Sequence, residues 1–154
     1  MESRPIVKNY MATSLITLSK DMDVYFAIAL LLKNKISGAP VIDNKNILVG
    51  ILSEKDCLRV FANGSFYNMP GGTVSSFMSE KVSTLDPNSD LFSAADAFLK
   101  HNFRRMPVIE DKVLVGQISR RDVLRAIQDS SSYNIDYDEV NGYITKEMKG
   151  SLSK

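Results

Sequence analysis

The sequence predicts an α+β fold made of two related halves packed with pseudo-two-fold symmetry, and three observations predict it. The first is an internal repeat. Val7 to Phe61 lies over Val74 to Ile127 at a nearly constant offset, with one residue skipped near Asn46. Met11 falls on Met78, Thr17-Leu18 on Thr84-Leu85, Pro40-Val41-Ile42 on Pro107-Val108-Ile109, and Leu48-Val49-Gly50 on Leu114-Val115-Gly116. A repeat this long, present only twice, does not make a solenoid. The second observation is one strongly periodic helix in each copy. The third is a pair of short apolar strands in each copy, joined through polar turn residues. Two such halves make one compact body with a cleft at their junction.

Each half reads strand, helix, strand, strand, helix. Val24, Ala27, Ile28, Leu31 and Leu32 fall at i, i+3, i+4, i+7 and i+8, the spacing of one buried helical stripe. Leu91, Ala94, Ala95, Phe98 and Leu99 fill the same slots in the second copy. Asp21 or Asp23 can cap the first helix, and Asn88, Ser89 or Asp90 the second. Pro40-Val41-Ile42 and Pro107-Val108-Ile109 read as strands entered through proline. Ile47 to Leu52 and Val113 to Ile118 return after the turns Asp43-Asn44-Lys45-Asn46 and Glu110-Asp111-Lys112. These are hairpins, and the skipped residue falls in a turn, where length changes are tolerated. Short helices follow from Glu54 to Phe61 and from Arg120 to Ile127. The expected division is a first repeat at 7–61, a linker at 62–73, a second repeat at 74–127 and a tail at 128–154. Gly64, Pro70, Gly71 and Gly72 mark the linker. The tail has no counterpart in the repeat, and a helix is expected in it around Asp138 to Met148.

At 154 residues the chain can bury a full core. Nineteen basic against eighteen acidic residues give a net charge of +1, which argues for neither nucleic acid nor membrane as partner. The apolar run Ala27 to Leu32 is too short to span a bilayer, even with the apolar residues Val24 to Phe26 before it, and the N-terminus carries no apolar signal segment. A cytoplasmic protein is expected. A single cysteine excludes an internal disulfide and a cysteine-rich zinc site. His101 reads as a surface residue and Cys57 as a buried thiol. No metal spacing, nucleophile elbow or P-loop occurs.

The sharpest motif is Gly50-Ile51-Leu52-Ser53-Glu54-Lys55-Asp56, echoed as Gly116-Gln117-Ile118-Ser119-Arg120-Arg121-Asp122. Ser-x-x-Asp before an apolar helix has a purely structural reading, in which the serine caps the helix and the acid returns a bond. It also has a functional one. A hydroxyl and free N–H groups at a helix start suit an anionic group, and a carboxylate one turn on can accept the hydroxyls of a ribose.

On these residues each half resembles a CBS domain, and the chain resembles a tandem CBS pair over Val7 to Ile127. The resemblance implies two β-α-β-β-α units packed sheet to sheet, often dimerised, with adenosine compounds bound in clefts between them. AMP, ADP, ATP and S-adenosylmethionine are the ligands it implies, with no catalytic cofactor. It places the ribose-binding acid at Asp56 and Asp122, the hydroxyl at Ser53 and Ser119, and the first-strand threonine at Thr17 and Thr84. The segments lining the cleft become Ser37-Gly38-Ala39-Pro40 and Arg104-Arg105-Met106-Pro107. Serine stands where many members carry threonine.

The copies differ in charge. Arg104, Arg105, Arg120 and Arg121 stand where the first copy has Ser37, Gly38, Glu54 and Lys55. Guanidinium forks suit phosphate oxygens, so the second-repeat elements are expected to bind a phosphorylated ligand and the first-repeat site to be weaker. Tyr25, Phe26, Ala29 and Leu30 extend the apolar surface of the first helix beyond its stripe, which suggests a homodimer contact. The expected function is a non-catalytic, regulatory, adenine-nucleotide-sensing module acting through a dimer or a protein target. The alternative is a structural dimerisation module whose Ser-x-x-Asp motifs are helix caps only.

Overall fold

The computed structural model describes residues 4–62 and 71–143. The segment 63–70 of the expected linker and the expected tail helix beyond Tyr143 lie outside those residues. The first half contains β1 (Leu18–Ser19), α1 (Val24–Asn34), β2 (Gly38–Ile42), β3 (Leu48–Ser53) and α2 (Glu54–Ala62). A short helix α3 (Val74–Phe77) precedes α4 (Leu91–Lys100), β4 (Arg105–Glu110), β5 (Val113–Ser119) and α5 (Arg120–Ser130). The first sheet runs β1-β2-β3, with β1 parallel to β2 and β2 antiparallel to β3. The second is the hairpin β4-β5.

The copies depart from each other at the first strand. Leu85 makes a single parallel bridge to Val108, where a strand matching β1 was expected. Leu85 N–H donates to the Pro107 carbonyl (3.0 Å), and Ile109 N–H donates to the Leu85 carbonyl (2.9 Å). The next rung of a parallel ladder would need an N–H from Pro87, which proline lacks. Lys20 stands at that place in the first copy. Pro107 itself sits inside β4, not at its entrance. Its carbonyl faces Leu85, so its ring nitrogen lies on the same outer edge, where a missing donor breaks no hairpin bond.

Asp23 and Asp90 are the helix caps. Asp23 accepts from the N–H groups of Tyr25 (2.8 Å) and Phe26 (3.4 Å). Asp90 does the same for Phe92 (2.6 Å) and Ser93 (3.3 Å). Val24, Ala27 and Leu31 are buried, as are Leu91, Ala94 and Phe98. Leu32 and Leu99, expected in the same stripes, are 74% and 86% exposed. At about 100° per residue each lies about 80° round from the first residue of its stripe, at the margin of the buried face. The turn of the second hairpin uses positive φ at Asp111 (50°) and Lys112 (70°), which matches a two-residue turn to the strand twist. The first hairpin is closed by Asp43, whose carboxylate accepts from Lys45 N–H (2.8 Å) and Ile47 N–H (2.9 Å).

The two cores are completed by exchange. Val7, near the N-terminus, is fully buried in the core of Leu91, Phe98, Met106, Val108 and Ile118. Val74 and Phe77, which open the second repeat, are buried in the core of Leu18, Val24, Leu31, Val41 and Leu52. Ala12 pairs with Gln117 on β5, and Ser79 pairs with Ile51 on β3. Each leading segment thus adds to the sheet of the other half. The repeated glycines explain the fit. A Cβ on Gly50 would stand 2.7 Å from Met78 Sδ and 2.9 Å from the Ser79 carbonyl oxygen. One on Gly116 would stand 2.5 Å from Met11 Sδ and 3.0 Å from the Ala12 carbonyl oxygen. The Met11/Met78 and Gly50/Gly116 identities are therefore contacts between the halves. Helix ends also exceed expectation by a little: α2 includes Ala62, and α5 runs through Ser130 into the expected tail. Residues 137–143 are helical, in line with the expected tail helix as far as the described residues reach.

Candidate ligand cleft

A cleft of about 710 Å³ opens between the halves, within the range of small-molecule sites. Ser37, Gly38, Ala39 and Pro40 at the start of β2 form one wall, with Ser53 to Asp56 at the junction of β3 and α2. Arg104, Arg105 and Pro107 of the second half face them, with Asn102, Phe103 and Gln117. Ser79, Lys81, Val82 and Ser83, from the exchanged segment, close the remaining side. Strand alternation places Arg105 and Pro107 at the cleft and turns Met106 into the second core, where it is buried. Met106 was expected to line the cleft.

The Ser53–Asp56 box is formed in full. Asp56 Oδ2 accepts from Ser53 N–H and Ser53 Oγ, both at 2.9 Å, and Asp56 N–H donates to Ser53 Oγ at 3.1 Å. Ser119 and Asp122 repeat the pattern at 2.8, 2.9 and 3.2 Å. Both acids are 7% exposed. Their second oxygens meet an arginine one turn along: Arg59 stands 3.5 Å from Asp56 Oδ1, and Arg125 pairs with Asp122 Oδ1. The capping role is thus satisfied in both copies. Only Oδ1, already facing an exposed guanidinium, is open to exchange for a ligand hydroxyl.

The cleft is cationic. Lys55, Lys81, Arg104 and Arg105 line it, and none of them makes an ion pair among the described residues. Arg105 Nε is buried without a hydrogen-bond partner, a condition that costs about 1–3 kcal/mol unless an acceptor is supplied. Glu54 and Asp56 are the acids present, and Asp56 is engaged by its cap and Arg59.

The remaining expected site residues are not gathered here. Arg120 lies in a groove between α4 and α5, its guanidinium donating to Asn102 Oδ1 (3.4 Å). Thr17 lines a separate hollow beside β1 with Asp43. Thr84 lines a smaller one beside Lys112. Ser119, Arg121 and Asp122 do not line the cleft that contains Arg104 and Arg105. Arg104 and Arg105 line the cleft of the first Ser-x-x-Asp motif, while the backbone sets Arg105 across from Ser119 and joins Arg120 N–H to the Arg104 carbonyl (3.1 Å). The cause is the packing of the halves, which sets the start of β4 opposite the start of β2. Lys55, Lys81, Asn102, Phe103 and Gln117 were missed by sequence reading. The repeated Met and Gly residues were the signal that the 78–83 segment crosses to the other half.

Cys57 follows the motif acid on α2 and is partly buried. Burial, followed by the nearby Asp56 and Glu54 carboxylates, pushes its thiol above the ordinary value. That makes it an inert packing thiol. His101 is exposed and stacks on Phe103 at 5.1 Å between ring centroids. No group of metal-ligating side chains occurs among the described residues, and no helix among them is long and apolar enough to cross a membrane.

Comparison with known proteins agrees with the repeat. The family model for the CBS domain matches twice, at residues 7–63 and 74–129. The CBS domain-containing protein YhcV of Bacillus subtilis is 30% identical over 118 residues, covering 76% of this chain and 81% of YhcV. Uncharacterized protein MJ1225 of Methanocaldococcus jannaschii is 26% identical over 83% of this chain, which spans 45% of that relative's length. Among solved structures, CBSX2 of Arabidopsis thaliana in complex with AMP superposes with a TM-score of 0.72 at 30% identity. That superposition covers 80% of this chain and 96% of CBSX2.

Proposed function

The chain belongs to the CBS domain family as a tandem pair, and on that premise we propose that it is a non-catalytic regulatory module binding an adenosine-containing nucleotide. The observation that carries the reading is the cleft itself, where Ser53 and Asp56 of one repeat face Arg104 and Arg105 of the other. A ribose hydroxyl meets Asp56 Oδ1 in place of Arg59, and phosphate oxygens meet the guanidinium groups. The AMP complex of CBSX2, at 30% identity, supports an adenine nucleotide as ligand.

A ligand in this cleft touches both repeats, so its differential affinity for two arrangements of the halves is the means of signalling. The signal passes through a homodimer or a protein target, in a cytoplasmic energy-sensing role. Tyr25 and Phe26 on α1, the latter 59% exposed, offer an apolar surface for that contact. S-adenosylmethionine is the alternative adenosine ligand.

Melting temperature against a panel of AMP, ADP, ATP and S-adenosylmethionine tests the reading. A ligand at about 100 times its dissociation constant adds about 2.7 kcal/mol. One observation favours a second reading: both motif acids are already satisfied as helix caps. A flat panel at millimolar ligand would make the module a structural dimerisation unit.

A further inference from the structure

Resting on the nucleotide reading, we propose that the cleft selects a nucleotide carrying a di- or triphosphate over a monophosphate, and that Lys81 and Arg105 set this preference. Four cationic side chains from three separate segments converge there: Lys55 on α2, Lys81 on the exchanged segment, and Arg104 and Arg105 at the start of β4. None has a carboxylate partner among the described residues. Unpaired like charges around one cavity repel, and an anion bound among them relieves that repulsion. One phosphate group can be held by a single guanidinium fork and one further cation. Glu54 offsets one of the four, and the cations left still exceed the roughly two negative charges of a monophosphate. Arg105 adds geometry to charge, because its buried Nε lacks an acceptor that a phosphate oxygen can supply.

The pseudo-symmetric positions differ. The overlay sets Ser14, Ser37 and Gly38 where this cleft has Lys81, Arg104 and Arg105, and Arg120 and Arg121 where it has Glu54 and Lys55. The cations of this cleft therefore come from positions other than the shared serine and aspartate. S-adenosylmethionine, with a sulfonium cation in place of phosphate, is disfavoured by the same charges.

Isothermal titration of ATP, ADP, AMP and S-adenosylmethionine in magnesium-free buffer tests this, using the wild-type chain, Lys81→Gln and Arg105→Gln. Lys81 is exposed, so its variant keeps the fold, and circular dichroism checks Arg105→Gln. The expected result is ATP binding at least tenfold tighter than AMP in the wild type. In Lys81→Gln and in Arg105→Gln that ratio falls several-fold. AMP or S-adenosylmethionine binding as tightly as ATP would overturn the polyphosphate preference and leave the nucleotide reading standing. An unchanged ATP-to-AMP ratio in both variants would overturn the assignment to these residues. No binding by any of the four ligands would overturn the nucleotide reading and this inference with it.

Discussion

Ser53–Asp56 and Ser119–Asp122 start their helices with the same three hydrogen bonds, yet the cleft lined by Lys55, Lys81, Arg104 and Arg105 is lined by the first pair and not by the second. The cap is a local matter, settled by four consecutive residues. What stands opposite the cap is settled by how the halves pack. The motif supplies a helix start and a carboxylate on both sides of the molecule. The capacity to hold an anionic ligand comes from the other repeat and from the exchanged segment. Equal motifs therefore do not make equal sites.

The largest effect expected from testing this comparison falls on the part the two halves share. Gly50→Ala and Gly116→Ala each press a methyl group against a methionine sulfur and a backbone carbonyl oxygen. The sulfur can swing aside, but the carbonyls of Ser79 and Ala12 are held by paired ladder bonds. Each substitution should destabilise the protein by about 1–3 kcal/mol in urea unfolding. A loss at Gly50 with none at Gly116 would break the symmetry of the exchange. Next come the caps. Asp56→Ala and Asp122→Ala should each remove about 1 kcal/mol of stability, measured the same way, because the two boxes are equally formed. Smaller still, Arg59→Ala should cost less than about 1 kcal/mol, since its guanidinium is largely exposed. The least effect concerns Cys57. Its raised pKa keeps the protonated thiol dominant to higher pH than in a free cysteine. Alkylation at pH 8 should therefore be slower than for the unfolded chain, and an equal rate would contradict the burial described.

Much of the fold was legible because it is written locally. Short apolar runs with proline marked β2 and β4, the i, i+3, i+4 spacing marked α1 and α4, and aspartates stood at the two caps. The length of the expected stripes was not, since Leu32 and Leu99 lie at the margin of a buried face whose width only tertiary packing sets. The missing second β1 was written in Pro87, whose absent N–H removes one rung. The site was half legible. Ser37 to Pro40, Ser53, Asp56, Arg104, Arg105 and Pro107 meet as lining residues of one cleft, which Ser119, Arg121 and Asp122 do not line although Ser119 pairs with Arg105 across the hairpin. An overlay of two repeats aligns equivalent residues, but it cannot say which residues of one copy face which of the other. Lys81 was hidden for the same reason: its neighbours belong to the second repeat in sequence and to the first core in space.

The central claim is that one cleft, built from the first motif and the second repeat's arginines, is the nucleotide site. Calorimetric stoichiometry with ATP on the wild type, Asp56→Ala and Asp122→Ala tests it most directly. One tight site per chain is expected, weakened about tenfold or more in Asp56→Ala and retained in Asp122→Ala. Two equivalent tight sites, or loss in Asp122→Ala with Asp56→Ala unaffected, would contradict it.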